Sequence, residues 1–206
     1  MRIIGGKLKG RRFTPPKVNP ARPTTDFAKE GLFNIIANYW DISTIRFLDL
    51  FCGTGSISYE MASRGCTQQT GVEKDPALAA FIRKNAEELN IKINLAQMDV
   101  FKFIARKEAP YDLIFAGPPY PLPTLDTIPD KIFEAELIRA DGWLILEHNP
   151  NHKFDDHPRF MAKRNYGDTI FSIFEGELKE EAIEESGDSN KNKSEEDQNS
   201  SVSSPS

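Results

Sequence analysis

From Ile45 to Phe174 the chain alternates short apolar runs with longer stretches in which apolar residues recur every three or four positions. Ile45–Leu50, Gln69–Glu73, Asn94–Gln97, Tyr111–Phe115 and Trp143–Glu147 read as strands. Ser56–Arg64, Ala77–Asn90, Val100–Arg106 and Asp130–Ile138 read as the helices between them. Arg159–Tyr166 and Thr169–Phe174 predict a final strand pair that turns at Gly167-Asp168. Repeated strand–helix units predict an α/β fold, a mostly parallel sheet with helices on both faces. Ahead of them, Ala28, Leu32, Ile35, Ile36 and Tyr39 share one face of a helix capped by Thr25, with Asp26 favouring its positive end. Arg2–Ile4 and Arg12–Thr14 flank the turn signals Gly5-Gly6 and Lys9-Gly10 and predict a small hairpin. Pro15, Pro16, Pro20 and Pro23 hold the segment after it extended.

Composition divides this picture into three parts. The 206 residues are 39% hydrophobic and 28% charged, with a net charge of −5. From Gly176 to Ser206 there are nine acidic residues against three Lys, with eight Ser and few apolar side chains. Such a tail cannot bury enough apolar surface to offset the entropy of ordering it. Its charge of −6 leaves +1 on the remainder, so the acidity of the chain says little about the partner of the folded part. Residues 1–25 hold seven Arg and Lys, among them Arg2, Lys7, Lys9, Arg11, Arg12 and Arg22, and no acid. A block of that kind is expected where a chain meets phosphates, although a solvated basic surface has the same composition. The expected organisation is a basic extension over 1–25, an α/β domain over 26–175 and an acidic disordered tail over 176–206. Two cysteines, Cys52 and Cys66, fit a reducing compartment. No run is apolar enough for a signal peptide or a membrane span, so a cytoplasmic protein without a membrane partner is expected. It is expected to be a monomer.

Ligands on open α/β sheets sit outside the carboxyl ends of the strands, and the candidate chemistry of this chain collects there. The first strand carries Asp49 and runs through Phe51 into Gly53-Thr54-Gly55, whose glycines permit a tight turn and close backbone approach. The dinucleotide fingerprint is incomplete, because its third glycine position is Ser58. Glu73, 20 residues after Gly53 and followed by Lys74, ends the second strand, where an acid can accept hydrogen bonds from ribose hydroxyls. Asp99, ahead of Val100, is placed either to receive an adenine amino group or to cap the next helix. Together the three strand ends describe a site for an adenosyl ligand. The fourth strand leads into Gly117-Pro118-Pro119-Tyr120, a stiff turn followed by an aromatic able to stack on a base. His148, His152 and His157 lie close in sequence, but Pro150 argues against a shared helix face, and no metal site is expected. Asp112 and Glu147 read as structural.

The order Leu48-Asp49-Leu50-Phe51-Cys52-Gly53-Thr54-Gly55, Gly71-Val72-Glu73-Lys74-Asp75, Pro118-Pro119-Tyr120 resembles the S-adenosylmethionine-dependent amino-methyltransferases. Arg2-Ile3-Ile4-Gly5-Gly6, Gly10-Arg11-Arg12 and Arg22-Pro23-Thr24-Thr25-Asp26, with Glu30 and Leu32-Phe33-Asn34, narrow the resemblance to the RsmD family. Members of that family methylate the N2 amino group of a guanine in small-subunit (16S) rRNA. The resemblance covers Arg2 to Phe174. It implies a Rossmann-like class I methyltransferase fold with seven strands, the last antiparallel, and S-adenosyl-L-methionine as cofactor. The implied cofactor contacts are Asp49, Phe51, Gly53, Gly55, Glu73, Lys74, Asp99 and Val100. The implied partner is 16S rRNA, in an assembled or partly assembled small subunit, held by Arg2, Lys7, Lys9, Arg11, Arg12 and Arg22. The implied catalytic turn is Gly117, Pro118, Pro119 and Tyr120.

One position departs from the family pattern. Where the turn usually begins with Asp or Asn, whose side chain accepts a hydrogen bond from the target amine, this chain has Gly117. Loss of one preorganised polar contact costs about 10²–10³ in rate. The sequence therefore predicts a folded, cofactor-binding protein of weak activity, rescued by Gly117→Asp. Two other readings stay open at this point: a DNA adenine or cytosine amino-methyltransferase, and a non-catalytic RNA-binding assembly factor.

Overall fold

A computed structural model describes residues 1–17 and 24–177. Arg22, Pro20, Pro23 and the tail from residue 178 lie outside the described residues. The elements run α1 (Asp26–Tyr39), β1 (Arg46–Leu50), α2 (Ser56–Ser63), β2 (Gln68–Val72), α3 (Pro76–Glu88), β3 (Asn94–Ala96), α4 (Val100–Ile104), β4 (Tyr111–Ala116), α5 (Ile128–Glu134), β5 (Ile138–His148), β6 (Phe160–Tyr166) and β7 (Thr169–Glu175). The strands form one seven-stranded sheet in the order β3-β2-β1-β4-β5-β7-β6. β7 alone runs against the others, pairing antiparallel with β5 and with β6. This is the Rossmann-like α/β fold that the strand–helix alternation and the resemblance predict.

Alternate strand residues build two cores. Leu48 and Leu50, Ile114 and Ala116, and Leu144 and Leu146 face α4 and α5. Phe47, Leu113, Phe115, Trp143 and Ile145 face α1 and α2 on the other side. This two-period alternation means that Asp49 and Glu147, in step with Phe47 and Ile145, belong to the α1/α2 face.

Two local expectations are corrected. In α1 the buried face is Ala28, Lys29, Leu32, Phe33 and Ile36, which keeps Ala28, Leu32 and Ile36 of the predicted stripe but rotates from Ile35 and Tyr39 toward Lys29 and Phe33, leaving Tyr39 69% exposed. The rotation buries Lys29 because its ammonium finds partners inside: Nζ donates to the Arg2 carbonyl at 2.6 Å and lies 3.4 Å from Glu60 Oε1. The helix predicted up to Ile138 ends at Glu134, since Glu136 takes φ 52° and turns the chain into a longer β5. The predicted N-terminal hairpin forms: Arg2 bridges Arg12 antiparallel, Ile3 N donates to Arg11 O (2.9 Å), Gly10 N to Ile3 O (2.9 Å) and Phe13 N to Met1 O (3.0 Å). Its turn is anchored on α2, where Ile4 N donates to Glu60 Oε1 (2.6 Å), Leu8 N to Ser63 Oγ (2.9 Å) and Lys7 N to Ser63 O (2.8 Å).

Candidate active site at the carboxyl ends of the strands

β1 ends in a loop whose shape is fixed by three left-handed residues in five: Phe51 (φ 66°), Gly53 (φ 54°) and Gly55 (φ 79°). For Phe51 this conformation is strained by about 1–3 kcal/mol, the kind of outlier that gathers at ligand clamps. Gly55 is required by the protein itself, because a Cβ there would lie 3.0 Å from the Tyr59 ring and 3.1 Å from Ile82. At Gly53 a Cβ would meet only the Phe51 carbonyl, at 3.9 Å, so the surface above this residue is open to a ligand.

Glu73 follows β2 and points its carboxylate across to this loop. Oε2 accepts from Gly53 N at 2.8 Å and Oε1 from Asp75 N at 2.7 Å. Burial pushes the Glu73 carboxyl upward, against the pull of those two N–H donors. Asp49 is 1% exposed and accepts from Ser58 Oγ at 2.5 Å. Burial raises its carboxyl to about 7 in spite of that bond. Two buried acids of raised pKa beside an open glycine loop suit a cationic ligand, which would relieve the strain of charging them. Asp99 caps α4, with Oδ1 accepting from Phe101 N (3.0 Å) and Lys102 N (3.2 Å). Both bonds fall on Oδ1, so Oδ2 keeps acceptor capacity. Val100 is buried beside it, and Lys74 is exposed.

The raised pKa of Asp49 has a consequence for stability. Unfolded, the carboxyl titrates near 3.8; folded, near 7, so between these values the native state holds the extra proton. Stability is then lost as pH rises from about 4 to about 7, by at most on the order of 4 kcal/mol for such a shift. Asp49→Asn is expected to remove this loss, and urea unfolding of both proteins at pH 4.5 and 7.5 checks it. Parallel pH dependence in the two would exclude Asp49 as its source.

β4 lies next to β1, and Gly117 N donates to Leu50 O at 3.3 Å, one step beyond the last paired residues. The turn Gly117-Pro118-Pro119-Tyr120 therefore opens beside the glycine loop, with β2 and β4 about 10 Å apart across β1. Pro118 is buried, Pro119 exposed and Tyr120 partly exposed. The Tyr120 hydroxyl donates to Glu147 Oε1 at 3.1 Å and lies 3.4 Å from Thr169 Oγ1. Thr24 Oγ1 donates to Glu147 Oε2 at 2.7 Å, which brings the start of the chain into the same cluster. Glu147 is 5% exposed at the carboxyl end of β5. The sequence reads it as structural; the structure puts it at a strand end beside the Pro-Pro-Tyr turn, where ligands sit on open α/β sheets. Asp112, read the same way, sits near the opposite end of β4, bonded to Arg46 N (2.6 Å) and paired with Arg139 (3.1 Å). His148 is occupied within the fold, its Nε2 being 2.8 Å from Ser172 Oγ.

The basic N-terminal residues divide. Arg2 is bonded to Asp26 at 2.6 Å. Lys7, Lys9, Arg11 and Arg12 are exposed and form no ion pair among the described residues. Met1 rests against the glycine loop, its Sδ 3.1 Å from Thr54 Oγ1, and Phe13 stacks on Tyr59 with ring centroids 5.2 Å apart.

Residues 1–175 match the family described as Conserved hypothetical protein 95. The chain is 32% identical over 182 residues to YlbH of Bacillus subtilis (strain 168), an alignment covering 84% of this chain and 98% of that protein. It is 32% identical over 148 residues to ribosomal RNA small subunit methyltransferase D of Escherichia coli (strain K12), 71% of each chain. Among solved structures, yhhF from Escherichia coli superposes with a TM-score of 0.75 at 25% identity, covering 87% of this chain and 99% of that one.

Proposed function

The chain belongs to the RsmD-like family of rRNA methyltransferases, and on that footing we propose that it transfers the methyl group of S-adenosyl-L-methionine to the N2 amino group of a guanine in 16S rRNA. The observation that carries the reading is the joining, on neighbouring strand ends, of an open glycine loop flanked by buried acids to a Pro-Pro-Tyr turn. Asp49, Phe51, Gly53, Gly55, Glu73, Lys74, Asp99 and Val100 would hold the cofactor, Glu73 through the ribose hydroxyls and Asp99 through the adenine. Bound there, S-adenosyl-L-methionine supplies an electrophilic methyl group and a neutral thioether leaving group.

The chemical difficulty lies in the nucleophile, because the N2 lone pair of guanine is delocalised into the purine. Tyr120 lays the base flat against its ring, and acceptors that take the amino hydrogens turn the lone pair toward the methyl carbon. The Pro118 carbonyl, which has no neighbouring proline N–H to satisfy, is one such acceptor. Exposed Lys7, Lys9, Arg11 and Arg12 lie on the docked N-terminal segment and, with Arg2 and Arg22, would neutralise phosphates of the RNA. The segment 1–25 thus acts as the RNA-contact extension of the domain.

The test is transfer of labelled methyl groups to small-subunit particles, naked 16S rRNA and duplex DNA, with the modified nucleoside identified by mass spectrometry. N2-methylguanosine in rRNA is expected, with particles or rRNA preferred over DNA. Methylated adenine or cytosine in DNA would overturn the proposal in favour of a DNA enzyme. Cofactor binding without transfer to any substrate would favour an RNA-binding assembly factor.

A further inference from the structure

We propose that Glu147 is a catalytic residue of this chain, supplying from the end of β5 the acceptor that position 117 lacks. The inference rests on the guanine-N2 reading above and deepens it. The parallel register of β4 and β5 pairs Phe115 with Ile145 and Ala116 with Leu146, and its continuation sets Gly117 alongside Glu147 on the same face of the sheet. A Cβ built on Gly117 would lie 3.0 Å from Phe115 Cε1 and 3.9 Å from Glu147 Oε2, so a side chain there must shift the Phe115 ring by a few tenths of an ångström. An aspartate there would carry its own oxygens about 2.4 Å from that Cβ by ordinary bond geometry, so Glu147 borders the space that the family's usual side chain would enter.

The carboxylate is also built to stay in place. It is 5% exposed, and it accepts from the hydroxyl of Tyr120, the residue that stacks on the base, and from Thr24 of the segment leading into α1. Held by these groups, it needs no reorganisation when the target amine arrives.

In the proposed step one amino hydrogen donates to the Pro118 carbonyl and the other to Glu147. The N2 lone pair forms the new N–C bond as the C–S bond breaks, and the bonding pair leaves with sulfur. The cationic nitrogen then gives one proton to Glu147, from which it passes to water, leaving neutral N2-methylguanine.

The experiment is a double-mutant cycle on kcat with small-subunit substrate, using the full chain, Glu147→Gln, Gly117→Asp and the double variant. If Glu147 stands in for the missing side chain, Glu147→Gln lowers kcat by about 10²–10³-fold in the Gly117 chain and less than about 10-fold beside Asp at 117. Gly117→Asp alone then raises kcat by less than about 10-fold. An equal loss from Glu147→Gln in both backgrounds would show that Glu147 only positions Tyr120 and Thr24, and would overturn the proposal. So would a gain of 10² or more from Gly117→Asp, which needs no Glu147 variant to fold. Calorimetric binding of S-adenosyl-L-methionine to each variant checks that the cleft is intact. Failure of both the original chain and Gly117→Asp to place methyl on guanine N2 would sink the parent reading instead.

Discussion

Glu73→Ala is expected to weaken binding of S-adenosyl-L-methionine by at least about 10²-fold, measured by calorimetry, with the fold retained by circular dichroism. The size follows from two hydrogen bonds that the ribose hydroxyls would donate to the charged Glu73 carboxylate, each worth about 1.5–3 kcal/mol. A second effect acts in the same direction. Glu73 also accepts from Gly53 N and Asp75 N, so its carboxylate holds the glycine loop in the shape that leaves the Gly53 surface open. Glu73→Gln keeps the size of the side chain but can accept through one oxygen only, and an intermediate loss of roughly 10-fold is expected. An unchanged affinity in a folded Glu73→Ala protein would move the cofactor out of this cleft.

The same carboxylate links stability to ligand. Asp49 and Glu73 are both buried and both pushed upward, so each is held in an environment that resists its charge. A cationic ligand is the natural complement to such a cleft, and the apo protein carries the electrostatic cost until one arrives. Functional sites are often where a fold gives up stability in this way.

The sheet was legible because its signal is redundant. Each of β1, β2, β3, β4 and β5 is bounded by a helix pattern or a turn, and a one-residue error at an edge leaves the topology unchanged. The glycine loop and Glu73 were legible for a different reason: a fixed spacing between a turn and an acid is written locally in the chain. The stripe on α1 was misread because periodicity counts Lys29 as polar, and nothing local reveals that Glu60, 31 positions later, waits to pair with it. The surroundings of Glu147 were hidden for the same reason: its carboxylate meets Tyr120 from the turn after β4 and Thr24 from 123 positions earlier. Local pattern finds elements and spaced motifs; it does not find a buried charge whose partner is remote.

That blind spot marks where the fold is most vulnerable. Glu60→Ala is expected to lower stability by about 3–5 kcal/mol, the usual cost of removing one member of a buried ion pair. Glu60 is fully buried on α2, and its carboxylate serves Ile4 N (2.6 Å), Lys29 Nζ (3.4 Å) and the Arg64 guanidinium. Without it the Lys29 ammonium, 1% exposed, is left with the Arg2 carbonyl at 2.6 Å and the half-exposed Asp26 at 3.3 Å. Denaturant unfolding measures the loss, and amide exchange at Ile4 reports the second consequence, since its N–H loses the acceptor that docks the N-terminal segment. The double variant Lys29→Met with Glu60→Leu removes both charges and is expected to recover a large part of the loss, because an apolar pair of similar volume often matches a buried ion pair. Ile4 exchange should stay fast in that protein even as stability returns, which separates anchoring of the segment from packing of α1 on α2. Equal stability of Glu60→Ala and the unaltered chain would mean that water reaches Lys29 and that the pair is not buried in solution.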